Sequence, residues 1–152
     1  MSSSPLPALS DHLGFWLRFV SNHVSQAFAA RLAAKEVTVA EWVLLRTLHG
    51  SPPLAPSRAA DIIGMTRGAI TKLADRLIAK GLAARTASIE DGRAQTLALT
   101  PAGEALVPQL AALADANDAA FFAPLTPEER ATLERLLRRL AEQHRLAALP
   151  VD

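Results

Sequence analysis

Residues 66–93 read TRGAITKLADRLIAKGLAARTASIEDGR. In the first half, Ile70, Leu73, Ala74, Leu77 and Ile78 fall at i, i+3, i+4, i+7 and i+8. That spacing makes one buried helical stripe. Arg67, Gly68, Thr71, Lys72 and Asp75 lie on the opposite side. Thr66 suits the N-cap, where its hydroxyl accepts a bond from a free amide of the first turn. Gly81 suits the stop, because glycine tolerates the left-handed conformation common just past a helix end. The period then changes. Residues 82–87 and 93–99 read as two short strands, with Asp91-Gly92 near the tip as a hairpin signal.

A helix followed at once by a basic-tipped hairpin predicts a winged helix-turn-helix, and the segments upstream agree. Residues 11–34 predict a long helix with Leu13, Leu17, Val20, Val24, Phe28 and Leu32 on one stripe. Phe15, Trp16 and Phe19 widen its apolar surface, so it needs cover from two sides. In a chain of 152 residues, a second subunit can supply the second cover. Residues 39–49 predict another helix, ended by Gly50-Ser51-Pro52-Pro53 because prolines cannot continue it. Leu54-Ala55 reads as a very short strand. Residues 56–63 predict a third helix, with Pro56 suited to its first turn. Gly64-Met65 then joins it tightly to Thr66, and two short helices across a glycine-containing turn are the helix-turn-helix pattern.

Downstream of the hairpin, Thr100-Pro101 reads as N-cap and first helical residue. Leu106, Leu110, Leu113 and Ala114 continue that helix, and Pro108 either kinks it or marks its true first turn. Thr126-Pro127-Glu128-Glu129 starts the last helix, with Glu129 placed to complete a capping box. Leu133, Leu136, Leu137, Leu140 and Ala141 stripe it. The fold class is therefore mostly α (α+β). The chain reads as a single domain over 1–152, with residues 11–34 and 101–148 forming one helical lobe and 39–100 the winged-helix lobe.

Composition narrows the function. Half the residues are hydrophobic and none is cysteine, which excludes disulfides and thiolate metal sites. The N-terminal stretch lacks the pattern of a secretory signal, and no charge-free apolar run is long enough to span a bilayer. A cytoplasmic protein with no membrane partner is the expectation. The net charge is only +1, but it is unevenly placed. Between Arg58 and Arg93 stand seven basic and four acidic residues, leaving about −2 elsewhere. A local positive field of this kind fits a nucleic-acid footprint. His12, His23, His49 and His144 form no metal signature. No catalytic motif is present, so no catalytic residue, metal or cofactor is assigned and the chain is not read as an enzyme.

Residues 57–82, SRAADIIGMTRGAITKLADRLIAKGL, resemble the winged-helix core of the MarR family (multiple antibiotic resistance regulators). Asp91-Gly92-Arg93-Ala94 and the segment LALTPAG at 97–103 resemble that family's wing tip, returning strand and entry to the fifth helix. The resemblance implies a homodimer built on the first, fifth and sixth helices. It also implies double-stranded operator DNA as partner, repression as the output, and often a small aromatic or anionic effector. Thr66 would then contact a phosphate. Arg67, Thr71 and Lys72 would face the major groove beside Gly68, which brings no side chain, and Arg76 would sit near the backbone. Arg93 would enter the minor groove with Asp91 bracing it. Ala59 departs from the family by replacing a larger apolar residue.

Each site has a plainer alternative. Arg67 and Lys72 would be solvated helix residues, and Asp91 with Arg93 a surface ion pair worth little. Against this, arginine matches the acceptor edge of guanine, and narrow minor grooves attract arginine. His12, Trp16, Phe19, Trp42 and Arg46 are the candidate ligand cleft, although an aromatic cluster on two packed helices is more often core. Arg46 stands out because an arginine among apolar neighbours needs an anionic partner. A winged-helix module that binds protein and not DNA is the alternative function.

Overall fold

The computed structural model describes residues 5–87 and 95–152. Six helices and a two-stranded antiparallel sheet follow in the order α1 (Leu13–Ala33), α2 (Val39–Leu48), α3 (Pro56–Ile63), α4 (Arg67–Ala79), β1 (Ala83–Ala87), β2 (Gln95–Leu99), α5 (Pro101–Phe121) and α6 (Pro127–Gln143). A short 3-10 turn, Leu9–Asp11, precedes α1.

The helix boundaries follow from local chemistry. Thr38, Thr66, Thr100 and Thr126 each cap a helix by accepting an amide of its first turn. Thr126 and Glu129 form the expected reciprocal box, and Thr38 and Glu41 form a second. Gly64 ends α3 with φ +83° and Gly81 follows α4 with φ +74°. Pro108 neither starts nor breaks α5. The helix continues through it, with Pro108 on the exposed side, where water can reach the carbonyl left without an amide partner.

β1 pairs with β2 from Ala83↔Leu99 to Ala87↔Gln95. Leu54 joins the sheet as an isolated bridge to Leu97, with Leu54 N–H donating to Leu97 O at 2.9 Å and Leu97 N–H donating back at 2.6 Å. The expected short strand is thus a single residue pair. The tip at 88–94, which carries Asp91, Gly92 and Arg93, lies outside the described residues.

One core runs through the winged-helix lobe. Leu44, Leu45 and Leu48 of α2, Ala59, Ala60 and Ile63 of α3, and Ile70, Leu73, Ala74 and Leu77 of α4 are buried together with Leu97. Ala59 is fully buried, so its small side chain is part of that packing. Val107 and Leu110 of α5 and Leu32 of α1 extend the core toward the other lobe. The segment at 97–103 packs against the turn that follows α4. Thr100 Oγ1 donates to Gly81 O at 2.6 Å, and Thr100 N–H donates to Leu82 O. A Cβ at Gly103 would collide with the Leu82 carbonyl oxygen.

The long helices leave apolar surface uncovered. Trp16, Leu17 and Phe19 of α1 are about half exposed, as are Leu136, Leu137 and Leu140 of α6. No residue of α6 is buried.

Candidate nucleic-acid interface and ligand cavity

The surface of α4 is anchored from behind. Burying Ile70, Leu73 and Leu77 contributes roughly 1.5–3 kcal/mol for each side chain, so its outer face needs no contact within the chain. Thr66, Arg67, Gly68, Thr71, Lys72, Asp75 and Arg76 are all exposed. At about 1.5 Å per residue, Arg67 and Lys72 stand roughly 7 Å apart along the axis and Arg76 about 6 Å further on. Ala69 N–H donates to Thr66 Oγ1 at 3.1 Å, and Thr71 Oγ1 donates to Arg67 O at 3.0 Å. A Cβ at Gly68 would meet nothing within 4 Å, so the first turn is open to a ligand's approach.

Charge pairing sorts the basic residues into two groups. Arg85 on β1 pairs with Asp75 at 2.7 Å, which offsets the acidic group on the α4 face and ties helix to wing strand. Lys80 turns inward, donating to Glu41 Oε2 at 2.8 Å and to Glu36 O at 2.6 Å. Arg67, Lys72 and Arg76 have no ion-pair partner among the described residues. Neither pair was visible in the sequence reading. Lys80 and Arg85 counted there toward the local positive excess, but the outward cations of α4 are the other three.

Glu41 is almost completely buried. Burial pushes its carboxyl pKa up, but hydrogen bonds from Lys80 and Thr38 outweigh this and hold it below the ordinary carboxylate value.

The ligand cleft expected from sequence separates into two places. Trp42 and Arg46 line a cavity of about 360 Å³ between α1 and α2, together with Phe28, Val43 and the chain's last residues. Phe28 and Trp42 meet edge to face at 6.4 Å. His12, Trp16 and Phe19 do not line this cavity. They lie at the start of α1, where Trp16 and Phe19 pack with Phe15 and Phe19 contacts His23. The reason is helical rise: Trp16 and Ser25, another lining residue, are separated by about 13 Å. Arg46 is exposed, so the expectation of a buried arginine that requires a partner does not hold. Phe28 falls on the α1 stripe, and nothing in its spacing marks it as a cavity residue. Among the described residues no cluster of three His, Asp or Glu could hold a metal, and no helix is long and apolar enough to cross a membrane.

Residues 35–94 match the family model described as MarR family. The chain is 32% identical to the HTH-type transcriptional repressor Rv2887 of Mycobacterium tuberculosis over 128 residues, covering 84% of this chain and 92% of that protein. The chain belongs to the MarR family. The MarR-family fold is matched in solved structures. The Mycobacterium tuberculosis MarR family protein Rv2887 in complex with salicylic acid superposes with a TM-score of 0.67 at 30% identity, covering 91% of this chain and 98% of the other. A MarR mutant from E. coli complexed with operator DNA superposes with a TM-score of 0.74 at 26% identity, covering 84% and 92%. The six helices and two-stranded wing are thus those of a MarR-family regulator.

Proposed function

We propose that this MarR-family chain is a sequence-specific DNA-binding repressor. It acts as a homodimer on a pseudo-palindromic operator, without enzymatic activity, in the cytoplasm where its DNA partner lies. The observation that carries this reading is the outer face of α4. Three outward cations there lack ion-pair partners among the described residues, on a helix held from behind by a closed core. Arg67 reads a base edge, since a guanidinium bonds guanine O6 and N7 together. Thr71 and Lys72 contact bases or phosphates, Thr66 and Arg76 contact the backbone, and Gly68 lets the helix approach closely. Arg93 enters the minor groove from the wing tip, with Asp91 bracing it.

Residues 11–34 and 101–148 form the dimerisation lobe, and 39–100 the DNA-binding lobe. The half-exposed leucines of α6 and aromatics of α1, Trp16 and Phe19 among them, supply the apolar face that a second copy covers. Two α4 helices then reach successive major grooves about 34 Å apart.

The α1–α2 cavity takes a small aromatic anion, with Trp42 against the ring and Arg46 toward the charge. Rv2887, the relative crystallised with salicylic acid, supports that ligand class. Such an effector lowers DNA affinity only by binding the DNA-incompetent arrangement more tightly.

Selection of bound duplexes from a random DNA pool tests the reading. The expected product is two inverted half-sites one helical turn apart. Recovery of no common sequence, together with no binding at low salt, would instead favour a protein-binding winged helix.

A further inference from the structure

The chain reverses after α6 and comes back to the α1–α2 cavity. Arg145 takes φ +53°, and Leu146 N–H donates to Ala141 O, which closes the reversal. Leu149 N–H then donates to Ile63 O at 2.9 Å, using one of the carbonyls that the end of α3 leaves free. Ala148 lies so close to Gly64 that a Cβ there would stand 2.8 Å from Ala148 Cα. Val151 packs against the core. Leu149 and Val151 thus hold the segment on either side of Pro150, and Asp152 follows directly.

Held this way, Leu149, Pro150 and Asp152 form part of the cavity wall, and the cavity stays open at about 360 Å³ with them in place. That volume is near the lower end of the roughly 300–1,000 Å³ of ligand pockets, which suits a single ring. The wall is apolar apart from Ser25, Arg46, Thr47 and Asp152. Thr47 Oγ1 donates to Val43 O at 2.7 Å, so its proton is already used within α2. Arg46 and Asp152 are the charged members of the lining, one of each sign. Neither forms an ion pair with the other or with any charged group among the described residues. A guanidinium and a carboxylate that border one cavity without meeting leave each open to its own counter-charge on a ligand.

We propose that Asp152 is a specificity-determining residue of this cavity, whose preferred ligand is an amphoteric aromatic: a one-ring acid that also carries an ammonium group. The ligand carboxylate goes to Arg46, the ring packs against Trp42, Leu149 and Pro150, and the ammonium goes to Asp152. This rests on the reading of the cavity as the effector site and narrows it from aromatic anions in general. Asp152 acts in two directions, because it attracts the ammonium and repels an acid that brings negative charge alone.

The test compares the native chain with Asp152→Asn and Arg46→Gln by calorimetry. The probes are 3- and 4-(aminomethyl)benzoate, each paired with the ethylbenzoate of the same substitution, which keeps the shape and lacks the ammonium. The native chain should bind at least one aminomethyl acid more tightly than its ethyl partner. Asp152→Asn should lower that affinity ratio roughly three- to fivefold, the range of an exposed charge pair, while ethylbenzoate affinity holds or rises. A ratio unchanged by Asp152→Asn in both pairs, or an ethyl preference in the native chain for both, overturns the role of Asp152. If Arg46→Gln still weakens the acids in that case, the effector site stands without it. No binding of any probe by the native chain overturns both.

Discussion

Replacing Lys80 by alanine leaves Glu41 buried without its cation. Glu41 is 1% exposed and its Oε2 lies 2.8 Å from Lys80 Nζ, whose side chain is 38% exposed. Breaking a buried pair from one side costs about 3–5 kcal/mol. Two features lower that figure. Lys80 is partly solvated, and Glu41 Oε1 keeps the Thr38 N–H at 3.1 Å. The expected loss for Lys80→Ala is about 2–3 kcal/mol at neutral pH, a fall of roughly 5–10 °C in Tm for a domain of this size. The sign with pH follows from the native carboxyl pKa, which lies below its ordinary value. That pair contributes fully above the unfolded carboxylate pKa and is lost as pH falls through the native one. In Lys80→Ala, burial remains while the Lys80 hydrogen bond is gone, so the carboxyl protonates at higher pH. The deficit therefore shrinks on acidification. Urea unfolding at fixed protein concentration from pH 8 to pH 4 measures it. Glu41→Gln in the Lys80→Ala background should recover part of the loss. A deficit under about 0.5 kcal/mol, as for a surface pair, or one independent of pH, would refute the reasoning.

Three further outcomes are expected. Arg46→Gln should weaken 2-hydroxybenzoate binding roughly 10- to 100-fold, since bonds to a charged partner contribute about 1.5–3 kcal/mol; calorimetry reads this, and an unchanged affinity would remove Arg46 from the site. Leu136→Asp with Leu140→Asp should convert the proposed dimer to a monomer by sedimentation, because both side chains are about half exposed in one chain. Asp75→Asn should change stability by less than about 1 kcal/mol, as its pair with Arg85 is exposed. The same change should tighten DNA binding slightly by removing a negative charge from the α4 face.

How much was legible depended on the range of each interaction. The α4 helix was readable because its stripe, its Thr66 cap and its glycine stop all lie within sixteen residues. Thr126 with Glu129 was readable for the same reason. The Lys80–Glu41 pair joins residues 39 apart, and no periodicity reports such a distance. The width of the α1 apolar band predicted cover from two sides. It could not apportion Phe28 to the cavity and Trp16 to the outer face, because a helical period fixes direction around the axis and not what stands opposite each turn. The returning segment 147–152 has no period at all, and its place came from a single backbone bond and a close contact at Gly64.

The most direct measurement is the affinity of the native chain and of Arg67→Ala with Lys72→Ala for a selected duplex, across a range of salt concentrations. For the native protein, affinity should fall steeply with salt, in proportion to the phosphates neutralised. The double variant should lose roughly tenfold or more on the selected sequence and show a shallower salt slope. Equal affinities and slopes for the two proteins would contradict the assignment of α4 as the helix that reads DNA.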